Sequence, residues 1–370
     1  MRKIRTLLIF SSVMLLLVGG SLLTSGLADS GANHKTRNMH FGVSGGNVND
    51  TTRAFCCSGT LGSLVTDGTT TYILSNNHVL ARGDQATAGE DVSQPGLIDN
   101  SCRVATVVAD FTIASPLGSN IDAALAQLRT GTMDGTGFIE DIGVPSSSIM
   151  APSVNLLVAK SGRTSGFTTG SIGSVNTSVS VQYQKNCGSG KKFTVAYTNQ
   201  VVINSSTFSA GGDSGSLIVT NDASHNPVAL LYAGSSSTTI GNPIGEVLTK
   251  LSNVVGRSIT FGGGGGGPAA VSLSGSQGGQ EPFIPGLAAQ GRVLPEQAVA
   301  RASAVLEQHR ANLMFQEGVI GVGVGASDRA DGEAAIVVYV DRTSPAKPVF
   351  ADSLEGVNVR VVYTDPFVAF

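Results

Sequence analysis

The chain has no tryptophan, five histidines, four cysteines and only 13% charged residues among its 370. Its 23 Lys and Arg stand against 26 Asp and Glu, a net charge of −3. No basic field exists to hold a phosphate backbone, so nucleic acid is excluded as a partner. With so few His and Cys, any site built on them must be small. The cysteines match no zinc pattern, because Cys56 and Cys57 are adjacent and no paired His accompanies them. Beyond the first residues, no run is long and apolar enough to span a bilayer. Glycine, by contrast, is abundant at 48 residues, which implies many turns and close backbone approaches. At roughly 100–200 residues per domain, the length suggests about two domains.

The first residues bear on the compartment. Arg2, Lys3 and Arg5 precede an apolar run from Leu7 to Leu17 that continues to Leu22 and Leu23. Small residues follow at Ser25, Gly26 and Ala28, the layout of a secretory signal over residues 1–28. An uncleaved membrane anchor is the alternative, disfavoured by Gly19, Gly20 and Ser21 within the run. The exported chain would be extracellular, with no membrane contact once the signal is cleaved. Oxidising surroundings favour disulfides for Cys56, Cys57, Cys102 and Cys187, and all three pairings stay open.

After a short N-terminal segment (29–40), residues 41–261 read as many short strands punctuated by Gly, Ser, Asn and Pro, the pattern of an all-β barrel or sandwich. Asp67-Gly68 between two β-rich segments predicts a hairpin. Further runs fall at 104–108, 123–128, 154–158, 179–183, 193–197, 200–203, 216–219 and 228–233. Ile244, Val247, Leu248 and Leu251 mark one face of a closing helix. Gly262 to Gly267 then open a flexible linker over 262–285. Residues 286–370 read as a small α+β domain, with a helix over 295–315 and strands at 318–325, 335–340 and 357–363. Gly321-x-Gly323-x-Gly325 belongs to the first of these strands, since neither a helix start nor Lys-Ser/Thr follows it.

Three segments carry chemistry. His78 ends an apolar run in Leu74-Ser75-Asn76-Asn77-His78, Asp122 leads into Ala123-Ala124-Leu125, and Ser214 sits in Gly211-Gly212-Asp213-Ser214-Gly215. Alone, each is an ordinary turn or strand end. Together, in the order His, Asp, Ser within one β-rich region, they supply a base, its orienting acid and a nucleophile. Asp110 competes for the acid's role, Asp99 reads as a turn acid, and His225 lies in a turn.

With Gly212-Asp213-Ser214-Gly215-Ser216, Asn77-His78, Ile121-Asp122-Ala123-Ala124 and Lys160-Ser161-Gly162-Arg163-Thr164-Ser165-Gly166, the region resembles a trypsin-like serine peptidase of the chymotrypsin fold, in its secreted bacterial branch. The resemblance implies an all-β fold of two antiparallel six-stranded barrels with the site between them. It implies catalysis by His78, Asp122 and Ser214, and an oxyanion hole from the backbone N–H groups of Gly212 and Ser214. Asp213 would be held by Lys160, or by Arg163, in place of a freshly cut N-terminus. Phe208, six residues before the nucleophile, would shorten the specificity pocket, with Tyr232, Ala233, Gly234 and Ser235 as its wall. Small or medium apolar side chains are expected there, and Arg or Lys is disfavoured.

The reading is thus a secreted serine endopeptidase acting on a protein or peptide substrate and needing no cofactor and no metal. A non-catalytic binding or display module on the same fold is the alternative. The resemblance is silent on residues 286–370, which could target a substrate, assist folding, or contact the peptidase domain and cover its cleft.

Overall fold

A computed structural model describes residues 33–262 and 292–370; the signal or anchor segment and nearly all of the expected linker lie outside the described residues. The chain begins with β1 (Val43–Asn47), β2 (Gly59–Leu61), β3 (Ser63–Thr66) and β4 (Thr71–Ser75). The β3–β4 hairpin forms where Asp67-Gly68 predicts it, pairing Val65 with Tyr72 and Thr66 with Thr71. The Asp67 carboxylate closes the turn by accepting from the N–H groups of Thr69 and Thr70. A single helical turn, α1 (Asn77–Leu80), precedes β5 (Asp91–Gln94), β6 (Thr106–Ala114) and β7 (Ala124–Leu128).

Only Gly62 separates β2 from β3. A Cβ there would stand 1.9 Å from the carbonyl oxygen of Gly215, so only glycine lets the strand bend beneath the Ser214 turn. Taken as one kinked strand, β2–β3 pairs with β1 on one side and β4 on the other. The circuit runs on through β7, β6 and β5 back to β1, closing a six-stranded antiparallel barrel.

The second barrel is built from β8 (Leu157–Gly162), β9 (Gly166–Asn186), β10 (Ser189–Asn204), β11 (Leu217–Thr220), β12 (Pro227–Gly234) and β13 (Thr238–Pro243). Its circuit is β8–β9–β10–β13–β12–β11 and back to β8. The fold is therefore the chymotrypsin-type double barrel. Helix α2 (Ile244–Val255) packs the expected Ile244, Val247, Leu248 and Leu251 into the first core beside Leu61, Ile73 and Leu125. Each such side chain contributes about 1.5–3 kcal/mol by leaving water. The short β14 (Thr260–Phe261) pairs with β3.

Strand boundaries differ from the sequence reading: the run at 104–108 is the start of the longer β6, and that at 154–158 shifts to Leu157–Gly162 in β8. The runs at 193–197 and 200–203 are one strand, β10, bulged between Tyr197 and Gln200. β9 extends 21 residues, far beyond 179–183. Its early half carries Ser174, Thr177 and Ser178, which break the apolar alternation yet are buried beneath the C-terminal unit.

That unit comprises α3 (Glu296–Met314), β15 (Val319–Ala326), β16 (Ala334–Asp341), β17 (Ser353–Leu354), β18 (Val357–Thr364) and β19 (Phe367–Ala369). Rather than standing apart, β15 pairs with β9, so one sheet runs from the second barrel through β15, β16 and β18. Arg310 of α3 reinforces the junction by donating to the Asn176 carbonyl and to Ser178 Oγ. β19 lies between β12 and β9, antiparallel to the first and parallel to the second. No helix among the described residues is long and apolar enough to cross a membrane.

The cysteines pair as Cys56–Cys102 and Cys57–Cys187, choosing one of the three open connectivities. The second bridge ties the first barrel to the tip of the β9–β10 hairpin across 130 residues of sequence. Replacing Cys57 and Cys187 together by Ala should lower unfolding stability by about 2–4 kcal/mol in a denaturant titration, because the unfolded chain regains the closed loop's freedom.

Candidate active site

His78 occupies the single turn that caps β4, where the chain leaves the first barrel for the cleft. Its Nδ1 lies 2.6 Å from Asp122 Oδ2, and Asp122 is fully buried. Several groups hold this carboxylate in register. Asn76 donates to the Asp122 carbonyl, the Asp122 N–H donates to Asn242, and the backbone N–H of His78 meets Asp122 Oδ1 at 3.3 Å. Tyr183 of β9 donates its hydroxyl to Oδ2 at 2.8 Å. Burial works against a charged imidazole, but the Asp122 carboxylate, its hydrogen bond and the Phe370 carbonyl outweigh it and hold the His78 pKa above its ordinary value.

Ser214 lies on the glycine turn leading into β11. Gly212 has φ of +97°, and a Cβ there would fall 2.5 Å from Arg163 Nη1 and 2.6 Å from Thr164 Oγ1. A side chain is thus excluded both by backbone conformation and by space. The N–H groups of Gly212 and Ser214 donate to no acceptor among the described residues. The Ser214 hydroxyl donates to the Tyr232 carbonyl at 3.1 Å.

Asp213 turns away from the cleft into a buried nest of donors. It accepts from the N–H groups of Thr164, Ser165 and Ala210 and from Ser165 Oγ. Lys160 Nζ, fully buried, lies 3.5 Å from Asp213 Oδ2 and donates to Ser165 Oγ and to the Gly166 carbonyl. The expected partners therefore meet, with Ser165 bridging them. Burial pushes the Lys160 pKa down against the pull of Asp213. Arg163 instead makes a two-point pair with Asp99, at 2.6 and 2.7 Å. Asp99 is consequently a structural partner and no mere turn acid, since its largely covered carboxylate also receives Ser44 Oγ. Asp110 pairs with Arg129 on the flank of the first barrel, away from His78. His225 stays in the turn that follows β11.

Of the pocket residues, Ala233 and Gly234 form the end of β12 beside the site, and Ser235 follows them. Phe208 stands behind them, its ring fully buried in the second core with Val158, Ile172 and Leu231. Sequence reasoning did not identify Tyr183, Asn242 or Asp50. Burial raises the Asp50 pKa to about 6, with His78 and Arg82 pulling it back. Val179, Val181 and Tyr183 alternate inward on β9, and an inward hydroxyl calls for a buried acceptor; that was the available signal for Tyr183.

A base oriented by a buried carboxylate, a nearby hydroxyl and two free N–H groups are the parts that acyl transfer requires. No protein-family model and no curated protein matches the sequence. Solved structures similar to the chain include a glutamic-acid-specific serine protease, with 21% identity over 60% of this chain and 98% of that one, TM-score 0.41. Protease A of Thermobifida fusca is similar at 17% identity over 60% and 99%, TM-score 0.39. A Nocardiopsis protease is similar at 16% over 58% and 96%, TM-score 0.40.

Removing one partner of a buried pair strands the other's charge. Lys160→Ala should therefore lower unfolding stability by about 3–5 kcal/mol, measured by denaturant titration.

Proposed function

We propose that the chain is a secreted serine endopeptidase that hydrolyses peptide bonds through an acyl-enzyme intermediate. The observation that carries this reading is the chain of bonds that brings the three residues together: His78 bonds the buried Asp122 through Nδ1 and Phe370 through Nε2, and the Phe370 N–H and Ser214 Oγ donate to the same Tyr232 carbonyl. In the proposed reaction, Ser214 Oγ attacks the scissile carbonyl carbon while His78 Nε2 takes its proton. The oxyanion that forms is stabilised by the N–H groups of Gly212 and Ser214, each typically contributing about 3–4 kcal/mol. His78 then protonates the departing amine, leaving an ester on Ser214. Water attacks that ester as His78 again accepts a proton, and the acid product and free Ser214 are released. Asp122 fixes the imidazole tautomer and balances its charge, and Tyr183 and Asn242 keep Asp122 in place.

Asp213, anchored by Ser165, Thr164 and Lys160, sets the turn that aims the N–H donors. On this reading the hole is formed without cleavage of an N-terminus. The peptide substrate lies as an added strand along Tyr232–Gly234. Export through residues 1–28 accords with the two disulfides, which suit an oxidising compartment.

Fluorophosphonate should modify Ser214, read by peptide mapping, and Ser214→Ala should remove the modification and lower peptide hydrolysis roughly 10⁴-fold or more. No modification at Ser214, even with the cleft opened as below, would reject the reading. The pH dependence follows from the raised His78 pKa. Stabilisation from the protonated His78–Asp122 pair is complete below about 6.5 and is lost as pH rises through the higher folded value. The nucleophile needs neutral His78, so the labelling rate should climb with pH, with a midpoint above about 6.5.

A further inference from the structure

The cleft already holds an extended peptide, and it is part of this chain. β19 pairs antiparallel with β12, placing Ala369 opposite Ala233 and Val368 opposite Gly234. The Phe370 N–H donates to the Tyr232 carbonyl at 3.3 Å. Antiparallel alternation then makes Val368 and Gly234 a mutually bonded pair two residues further on. The Phe370 carbonyl oxygen lies 3.1 Å from His78 Nε2. With Nδ1 on Asp122 and Nε2 on this oxygen, both ring nitrogens donate, and neither is free to take a proton from Ser214. The Ser214 hydroxyl correspondingly points to the Tyr232 carbonyl.

The Phe370 ring has its own seat. Its Cζ and Cε2 lie 2.6 and 2.9 Å from where a Cβ on Gly234 would stand, so the ring covers a face that only glycine leaves open. It packs against the second core, which includes Phe208 and Leu231. A cavity of about 440 Å³ continues alongside, lined in part by Ser209, Ala210, Gly211 and Ser235. The segment is pinned where it leaves β18. Arg342 pairs with Asp365 at 2.6 Å and donates to Ser236, Asp365 accepts from Ser236, and Thr364 bonds Ser235.

We propose that residues 367–370 occupy the acyl side of the substrate cleft, with Phe370 in the primary specificity pocket, so that the chain restrains its own activity and, once freed, selects peptides with a large apolar residue, Phe above all, before the cleaved bond. This rests on the peptidase reading for its catalytic consequence, though not for the occupancy. It departs from the expectation of a pocket shortened by Phe208, whose ring lies in the core cluster on which Phe370 packs.

The test compares the full chain with Phe370→Asp, which puts a charge in an apolar seat, and with Val368→Pro, which removes the strand's N–H. Hydrogen exchange read by mass spectrometry reports occupancy without any need for turnover. Residues 232–234 should exchange slowly in the unaltered chain and at least tenfold faster in either variant. Fluorophosphonate labelling at Ser214 should accelerate at least tenfold in both. The Phe370→Asp chain should hydrolyse peptide anilides with Phe before the scissile bond at least tenfold faster than those with Ala, Glu or Lys. Unchanged exchange and unchanged labelling in both variants would overturn the proposal. Preference for Glu, Lys or Ala would overturn the pocket assignment. Accelerated exchange with no labelling of any chain would leave the occupancy standing and reject the peptidase reading instead.

Discussion

The structure depends on one long hairpin that cannot be left bare. β9 and β10 close the second barrel with their inner halves and then run on past it, and a projecting strand edge exposes unpaired N–H and C=O groups. Much of the β9 edge is answered by partners from elsewhere in the sequence. β15 covers one stretch of β9, β19 covers another, and Cys187 at the tip is bonded to Cys57 of the first barrel. From the same hairpin Tyr183 reaches Asp122 and bonds Tyr197 behind it. Sheet completion, barrel-to-barrel linkage and support of the buried carboxylate therefore share one element. A change that loosened it would reach all three.

Charge burial imposes the second constraint. Asp122 is sealed from water, and a lone carboxylate in such a place would be strongly disfavoured. His78 and Tyr183 make it tolerable, and this need fixes the ring of His78 without any contact from solvent. Asp213 with Lys160, and Asp99 with Arg163, repeat the solution on the far side of the Ser214 turn. The Ser214 turn is consequently anchored by two ion pairs, Asp213–Lys160 and Asp99–Arg163, while its own glycines contribute no packing.

Where local chemistry decided an element, the sequence made it legible. Asp67-Gly68 demanded a turn, the Ile244–Leu251 spacing demanded a helix face, and the glycines around Ser214 demanded close backbone approach. His78, Asp122 and Ser214 stood out as candidates for different local reasons: His78 ends an apolar run, Asp122 opens one, and Ser214 sits among glycines. What escaped reading was set by partners distant in sequence. The serines and threonines of early β9 look solvated until β15 is placed over them. Asp99 looks like a turn acid until Arg163 arrives from 64 residues away. Tyr183 meets Asp122 across 61 residues, and the disulfide pairing depends on the same distant geometry. Phe367–Phe370 is too short to show any period, and its strand exists because β12 and β9 offer it two edges at once.

The two edges offered by β12 and β9 also govern how the cleft is held. A free peptide joining β12 must give up translational and rotational freedom, a cost estimated at several kcal/mol or more. Residues 367–370 have surrendered most of that freedom already, because β18 and the Arg342–Asp365 pair deliver them to the edge. Few contacts are then needed to keep them there, and an incoming substrate competes with a high local concentration of the occupant. The contacts at Ser235 and Ser236 matter for the same reason: they hold Thr364, Asp365 and Arg342, which precede the strand. Release can therefore be a local opening of four residues, leaving the β9–β15 junction and the buried carboxylates intact. The bonds that restrain the cleft are thus separable from the bonds that build it.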